Sequence, residues 1–123
     1  MNRRKTGTEK EQSACRYLEN HGCRILEQNY HAGRYGEIDI VAEEDGFLVF
    51  VEVKYRSGNA WGDPLEAVDF RKQQRICRVA DRYLAEHRRP KDTPCRFDVI
   101  GITAEEIRWV PNAFPYIPAR SSR

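Results

Sequence analysis

Three residues in the first half of the chain have the types and spacing to do chemistry together: Asp39, Glu52 and Lys54. They lie in GEIDIVAEEDGFLVFVEVKYR, residues 36–56, which reads as two strands joined at Asp45-Gly46. That dipeptide is a strong hairpin signal, because both turn positions need positive φ. With a two-residue loop, Glu44 opposes Phe47, and the pairs continue as Glu43/Leu48, Ala42/Val49, Val41/Phe50, Ile40/Val51, Asp39/Glu52, Ile38/Val53 and Glu37/Lys54. Opposed residues share a face and successive pairs alternate. One face then holds Ile38, Ile40, Ala42, Val49, Val51 and Val53. The other holds Val41/Phe50, followed by Asp39, Glu52 and Lys54.

Two carboxylates directly opposite each other repel and destabilise the hairpin. A divalent cation between them reverses the sign, and carboxylate oxygens are what Mg²⁺ and Mn²⁺ prefer. Asp39 and Glu52 are therefore the expected metal ligands. Lys54, on the same face, is expected to position a water or stabilise negative charge on a phosphate. The competing reading is a solvated sheet face, where acids and a lysine are ordinary. Val41 and Phe50 share this face, which argues that it is at least partly covered.

The pattern Asp39…Glu52-Val53-Lys54 resembles the PD-(D/E)XK nuclease motif. Ile38, not Pro, precedes Asp39, a departure shared by many members of that superfamily. The longer set GEIDIV, VFVEVKYR, CRFDVI and IRWVPNAF resembles the YraN family, small and largely uncharacterised bacterial proteins similar to Holliday-junction resolvases. The resemblance runs from about Gly7 to Phe114. It implies a restriction-endonuclease-like core and metal-dependent hydrolysis of DNA phosphodiesters, with Mg²⁺ or Mn²⁺ as cofactor. Branched or structured DNA is implied only by the likeness to resolvases, which also leaves a two-fold homodimer open. The family pattern on the first helix selects Glu11 as a further catalytic carboxylate, with Glu9 the alternative and helix capping the plainer reading of both. The rival function is a nucleic-acid-binding protein that kept the fold without cleavage. Retention of Asp39, Glu52 and Lys54 together argues against it. A third reading is an RNA-directed or assembly role with a purely structural acidic site.

The elements that must position these groups follow from the rest of the chain. Thr8-x-x-Glu11 and Thr6-x-x-Glu9 fit capping boxes, and Ala14, Tyr17 and Leu18 follow at helical spacing, so a helix is expected over about 8–21, stopped at Gly22. Residues 23–30 read as a strand and 31–35 as its link to the hairpin. Residues 57–62 read as a loop whose Trp61 either stacks on a base or packs. Asp63-Pro64-Leu65-Glu66 is a helix start, with Asp69 the alternative cap of a second helix. The helical stretch runs to about Arg89. Strands follow at 96–103 and 107–110, then an irregular or disordered tail at 115–123. The order is α-β-β-β-α-β with an extra short strand: an α/β fold, one domain over 1–114, its mixed sheet flanked by helices and closed by a crossover beside the hairpin.

Arg75, Arg78 and Arg82 fall on one helix face and, with Arg56, are candidate contacts to a nucleic-acid backbone, most simply DNA. A solvated face is the competing reading, since Asp81 and Glu86 interrupt the charge. Asp98 either supports the site from the next strand or pairs with an arginine. Net charge is only +2, so any basic surface depends on clustering. The four cysteines form no C-x-x-C, which argues against a zinc site. No apolar run approaches the roughly 20 residues that span a membrane. MNRRKTGTEKEQ has basic residues with no apolar segment behind them, so no secretory signal and a cytoplasmic location are expected.

Overall fold

A computed structural model of the chain describes residues 3–56 and 64–120, with side chains from residue 9 onward except at 64 and 65. The expectations for Trp61 and for Asp63 as a helix cap lie outside these residues. The hairpin forms as its turn dictates. Strand β2 (Glu37–Glu44) and strand β3 (Phe47–Tyr55) meet at Asp45 and Gly46, with φ of 50° and 84°. The ladder pairs Glu44 with Phe47, Glu43 with Leu48, Ala42 with Val49, Val41 with Phe50 and Ile40 with Val51.

Each face of the hairpin buries its apolar residues under a helix. Helix α1 (Arg3–Asn20) lays Ala14 and Leu18 on Ile40, Ala42, Val49 and Val51. It begins upstream of the expected capping boxes, because nothing before Thr8 breaks a helix except Gly7, at a cost of about 1 kcal/mol. Gly22, at φ 99°, ends it as expected, with the amide of Cys23 closing on the Leu18 carbonyl at 3.0 Å. Helix α2 (Phe70–Glu86) lays Ile76, Val79, Ala80 and Tyr83 on Val41, Leu48 and Phe50 of the other face. Of the two alternatives for its start, Asp69 is the cap, its Oδ1 accepting from the Lys72 amide at 2.8 Å; a short 3-10 turn, Pro64–Ala67, precedes it.

The five strands lie in chain order. β1 (Arg24–His31) is antiparallel to β2, β4 (Cys95–Ile102) is parallel to β3, and β5 (Ile107–Phe114) closes the far edge antiparallel to β4. Helix α2 supplies the crossover that a parallel pair requires. β5 continues four residues past the expected Val110. An edge strand tolerates Pro111, and the register shift between Phe97 and Val99 with Asn112 at φ 52° absorbs it.

One expectation about the hairpin core fails. Ile38 does not share a face with Ile40; it packs with Val41, Tyr30 and Phe50 on the α2 side. The alternation breaks at Asp39. On β1, Asn29 has φ 55°, and the β1–β2 pairs pass from Gln28/Ile40 to Tyr30/Ile38 without including it or Asp39. Residues 115–120 have no regular secondary structure and rest on α2. Among the described residues, no helix is long and apolar enough to cross a membrane.

Candidate active site

The break at Asp39 lies at the end of the hairpin away from its turn. Pairing between β2 and β3 stops at Ile40/Val51, one pair short of Asp39/Glu52. There the Asp39 side chain takes over as acceptor, its Oδ2 receiving the Val53 amide at 2.8 Å. Burial pushes the Asp39 carboxyl up, the charge of Glu52 pushes it further, and Glu11 and Glu37 add to it against the single Val53 N–H, leaving it at about 7. So the structure brings Asp39, Glu52 and Glu11 to one place.

Glu52 is buried beside Asp39, and its Oε2 meets two ammonium groups. Lys54 Nζ lies at 3.1 Å and Lys72 Nζ at 3.3 Å. Lys54 thus pairs along its own strand rather than across to Glu37, which lies 3.9 Å from His31 Nε2. Lys72 was not among the residues singled out from sequence. It comes from the first turn of α2, and finding it requires knowing that Asp69 caps that helix and that the helix starts over Glu52.

Glu11 reaches the site from α1, on the other side of the sheet. Burial raises its carboxyl, a hydrogen bond from the Asn29 side chain opposes that, and Glu37 raises it further. The left-handed Asn29 therefore serves both the strand irregularity and the carboxylate cluster. Glu9 is exposed, and it is Glu11, not Glu9, whose charge acts on Asp39. Next along α1, Lys10 Nζ sits 4.7 Å from the centre of the Tyr55 ring.

The arginines divide. Arg56 is exposed where β3 leaves the site. Arg75 is exposed over the loop entering β2, so that a Cβ built on Gly36 would stand 4.0 Å from its Cδ. Arg78 is committed elsewhere: it donates to the Ile117 carbonyl, and its Nε lies 3.2 Å from Asp81 Oδ2. Arg82 pairs with Glu86 at 2.9 Å. The three do not form one free basic face. Asp98 takes the second of its expected roles, pairing with Arg96 at 3.0 Å, and does not join the carboxylate cluster. The cysteines are free thiols.

Among the described residues, no three His, Cys, Asp or Glu side chains stand where together they would hold a metal ion as arranged. The donor chemistry fits a hard divalent cation nonetheless. The donors are all carboxylate oxygens, and Asp39 is surrounded by negative charge that one N–H does not neutralise. Both lysines on Glu52 lie on its Oε2, so a cation taking that oxygen would compete with them.

A five-stranded mixed sheet with a helix on each face, and carboxylates and lysines gathered where its central hairpin splays, defines an α/β protein with an acidic site at one sheet end. The model of the uncharacterised protein family UPF0102 matches residues 10–102, and the chain belongs to that family, the one indicated by the resemblance to YraN proteins. A UPF0102 protein of Lachnoclostridium phytofermentans is 52% identical over 114 residues, covering 93% of this chain and 96% of the relative. One from Stutzerimonas stutzeri is 43% identical over 113 residues, covering 89% and 93%. One from Nitrosococcus oceani is 42% identical over 115 residues, covering 90% and 92%.

Proposed function

We propose that this chain is a metal-dependent endonuclease of the PD-(D/E)XK type, hydrolysing DNA phosphodiesters, with structured or branched DNA as the preferred substrate. The observation that carries the reading is the surroundings of Asp39. Its carboxyl is half-buried, accepts one N–H from the described residues, and is raised to about 7 chiefly by desolvation and then by Glu52. A chain selected only for stability gains nothing from gathering carboxylates at a splayed strand end. Asp39 and Glu52 would hold the cation, Mg²⁺ or Mn²⁺, with Glu11 as the further carboxylate. The cation would supply polarisation of the phosphodiester and acidification of a water. Lys54, held on the same face by Glu52, would orient that water or meet the charge that develops on the phosphate. Arg56 and Arg75 would grip the backbone on either side. Tyr55 and Phe70 are exposed at the end of β3 and the start of α2, where aromatic faces can stack on unpaired bases.

The second reading is a nucleic-acid-binding protein without cleavage. The observation favouring it is that two lysines already neutralise Glu52. Purified protein incubated with duplex, single-stranded and four-way-junction DNA, with Mg²⁺ or Mn²⁺, separates the two. Cleavage lost in both Asp39→Asn and Lys54→Ala, with DNA binding retained in Lys54→Ala, supports the nuclease. Binding without cleavage in wild type leaves the second reading. Cleavage surviving equally in both variants identifies a contaminant and sinks the nuclease reading.

A further inference from the structure

Lys72 is the member of the cluster that local preferences do not explain. It sits at the third position of α2, where backbone N–H groups and the helix dipole already present positive charge and a cation is disfavoured. Arg71 precedes it, and the first turn contains no acid. Lys54 arrives at Glu52 by strand alternation alone; Lys72 arrives from a separate element, and both stop on the same oxygen at 3.1 and 3.3 Å. Two ammonium groups on one carboxylate oxygen overcompensate it, and they repel each other. Meanwhile Asp39, the next carboxylate, has one N–H and three like-charged neighbours. The positive charge is therefore stacked on one side of the cluster and the negative charge on the other. Both lysines lie on Oε2, so a cation that takes that oxygen competes with them directly. Lys72 has the more exposed side chain of the two, 35% against 29%, on a flexible four-carbon stem.

We infer that Lys72 is a phosphate-positioning residue kept in reserve by Glu52: it neutralises that carboxylate in the cation-free protein and turns to the substrate phosphodiester when Glu52 engages the cation. The inference rests on the metal-dependent reading above and adds to it a lysine outside the strand motif. It also makes cation and DNA binding mutually supportive, because the exchange that admits the cation delivers a positive side chain to the phosphate.

The test uses the full chain in two measurements. Titration calorimetry with Mn²⁺ alone reads the competition for Glu52 without DNA or turnover. Junction DNA binding over a salt series, with Ca²⁺ in place of the catalytic metal, reads the phosphate contact. In Lys72→Ala, Mn²⁺ should bind about fivefold tighter, the scale of one partly exposed ion pair removed. DNA should bind more weakly, with the slope of log affinity against log salt smaller by about one. Lys72→Arg, which keeps the charge, should restore the slope. A lysine that only props the helix would not move the two affinities in opposite directions. Mn²⁺ affinity unchanged or weakened in Lys72→Ala, with wild type binding normally, overturns the role of Lys72 and leaves the nuclease reading standing. No Mn²⁺ binding by wild type at millimolar concentration overturns both.

Discussion

Two aspartates of this sheet, Asp98 buried and Asp39 half-buried, have opposite surroundings. Asp98 is enclosed by donors. Arg96 reaches both its oxygens at 3.0 and 3.1 Å, Trp109 Nε1 donates to Oδ2 at 2.8 Å, and the Asn112 amide donates to Oδ1 at 2.9 Å. The same arginine continues to Glu44 at 2.7 Å, so one guanidinium is shared between two carboxylates. The bulge that lets β5 pass Pro111 turns the Asn112 amide to Asp98 instead of into the ladder. Among the described residues, Asp39 has one backbone N–H and an environment of carboxylates. Full satisfaction explains Asp98 as architecture: bidentate arginine and neutral donors offset the desolvation of a buried charge. No such account serves Asp39. A carboxylate with so few donors, in the same sheet as one so well supplied with them, supports the proposed cation site.

The largest expected effect tests the architectural half. Asp98→Ala strips the acceptor from an arginine, an indole N–H and a backbone amide at once. Breaking a buried ion pair from one side costs roughly 3–5 kcal/mol, and urea unfolding should show a loss of that order. Asp39→Asn keeps an acceptor for Val53 and removes a repelled charge, so the cation-free protein should be at least as stable as wild type near pH 8. If the two substitutions cost the same, the contrast between the two aspartates is not energetic and the argument from compensation falls.

Proton linkage and metal binding sharpen the other half. The Asp39 carboxyl titrates at about 7 in the folded chain, raised from an ordinary value of 3.8. The folded state therefore holds this proton more tightly than the unfolded chain does. The stability linked to it is fully present below the unfolded value and is lost as pH rises from about 4 through 7. Asp39→Asn should flatten that decline, read as Tm against pH without divalent cations. Adding Mg²⁺ or Mn²⁺ above pH 7 should raise wild-type Tm by a few degrees, since about ten times the Kd contributes roughly 1.4 kcal/mol. Asp39→Asn should lose that rise. A variant that keeps it shows that Asp39 is not a ligand.

The parts of this site that were legible in the sequence are those set by a single local rule. Asp45-Gly46 fixed the turn, the turn fixed the ladder from Glu44/Phe47 to Ile40/Val51, and that placed Glu52 and Lys54 on one face beside Asp39. What escaped was set by departures from regularity or by tertiary packing. The left-handed Asn29 breaks the alternation, so Ile38 crosses to the α2 side; asparagine tolerates that conformation but does not announce it. Lys72 was invisible because a charged residue in a first helical turn reads as surface until the helix is set over Glu52. The early start of α1 and the passage of β5 through Pro111 reflect the absence of a strong breaker and the tolerance of a sheet edge.

The smallest effect carries the contrast of committed and uncommitted charge onto α2. Arg75 and Arg78 are one turn apart and looked equivalent by spacing. Arg78 is tied to the C-terminal segment: it donates to the Ile117 carbonyl and to Tyr116 Oη at 3.3 Å, while Tyr116 Oη donates to Asp81 at 2.9 Å and the Ile117 amide to Cys77 Sγ at 3.3 Å. Arg78→Ala should thus lower stability by about 1.5–3 kcal/mol, the scale of hydrogen bonds from a charged donor. It should leave the salt dependence of DNA binding almost unchanged, because this guanidinium faces its own chain. Arg75 stands exposed over the loop at Gly36, beside the strand that carries Asp39. Arg75→Ala should alter stability by less than about 0.5 kcal/mol, as surface substitutions do. It should reduce the salt slope by about one unit if the backbone passes this rim. Urea unfolding and a salt series on the two single variants check both halves. The reverse pattern, with Arg78 carrying the salt slope and Arg75 carrying stability, would move the nucleic-acid path to the C-terminal half of α2, away from Asp39.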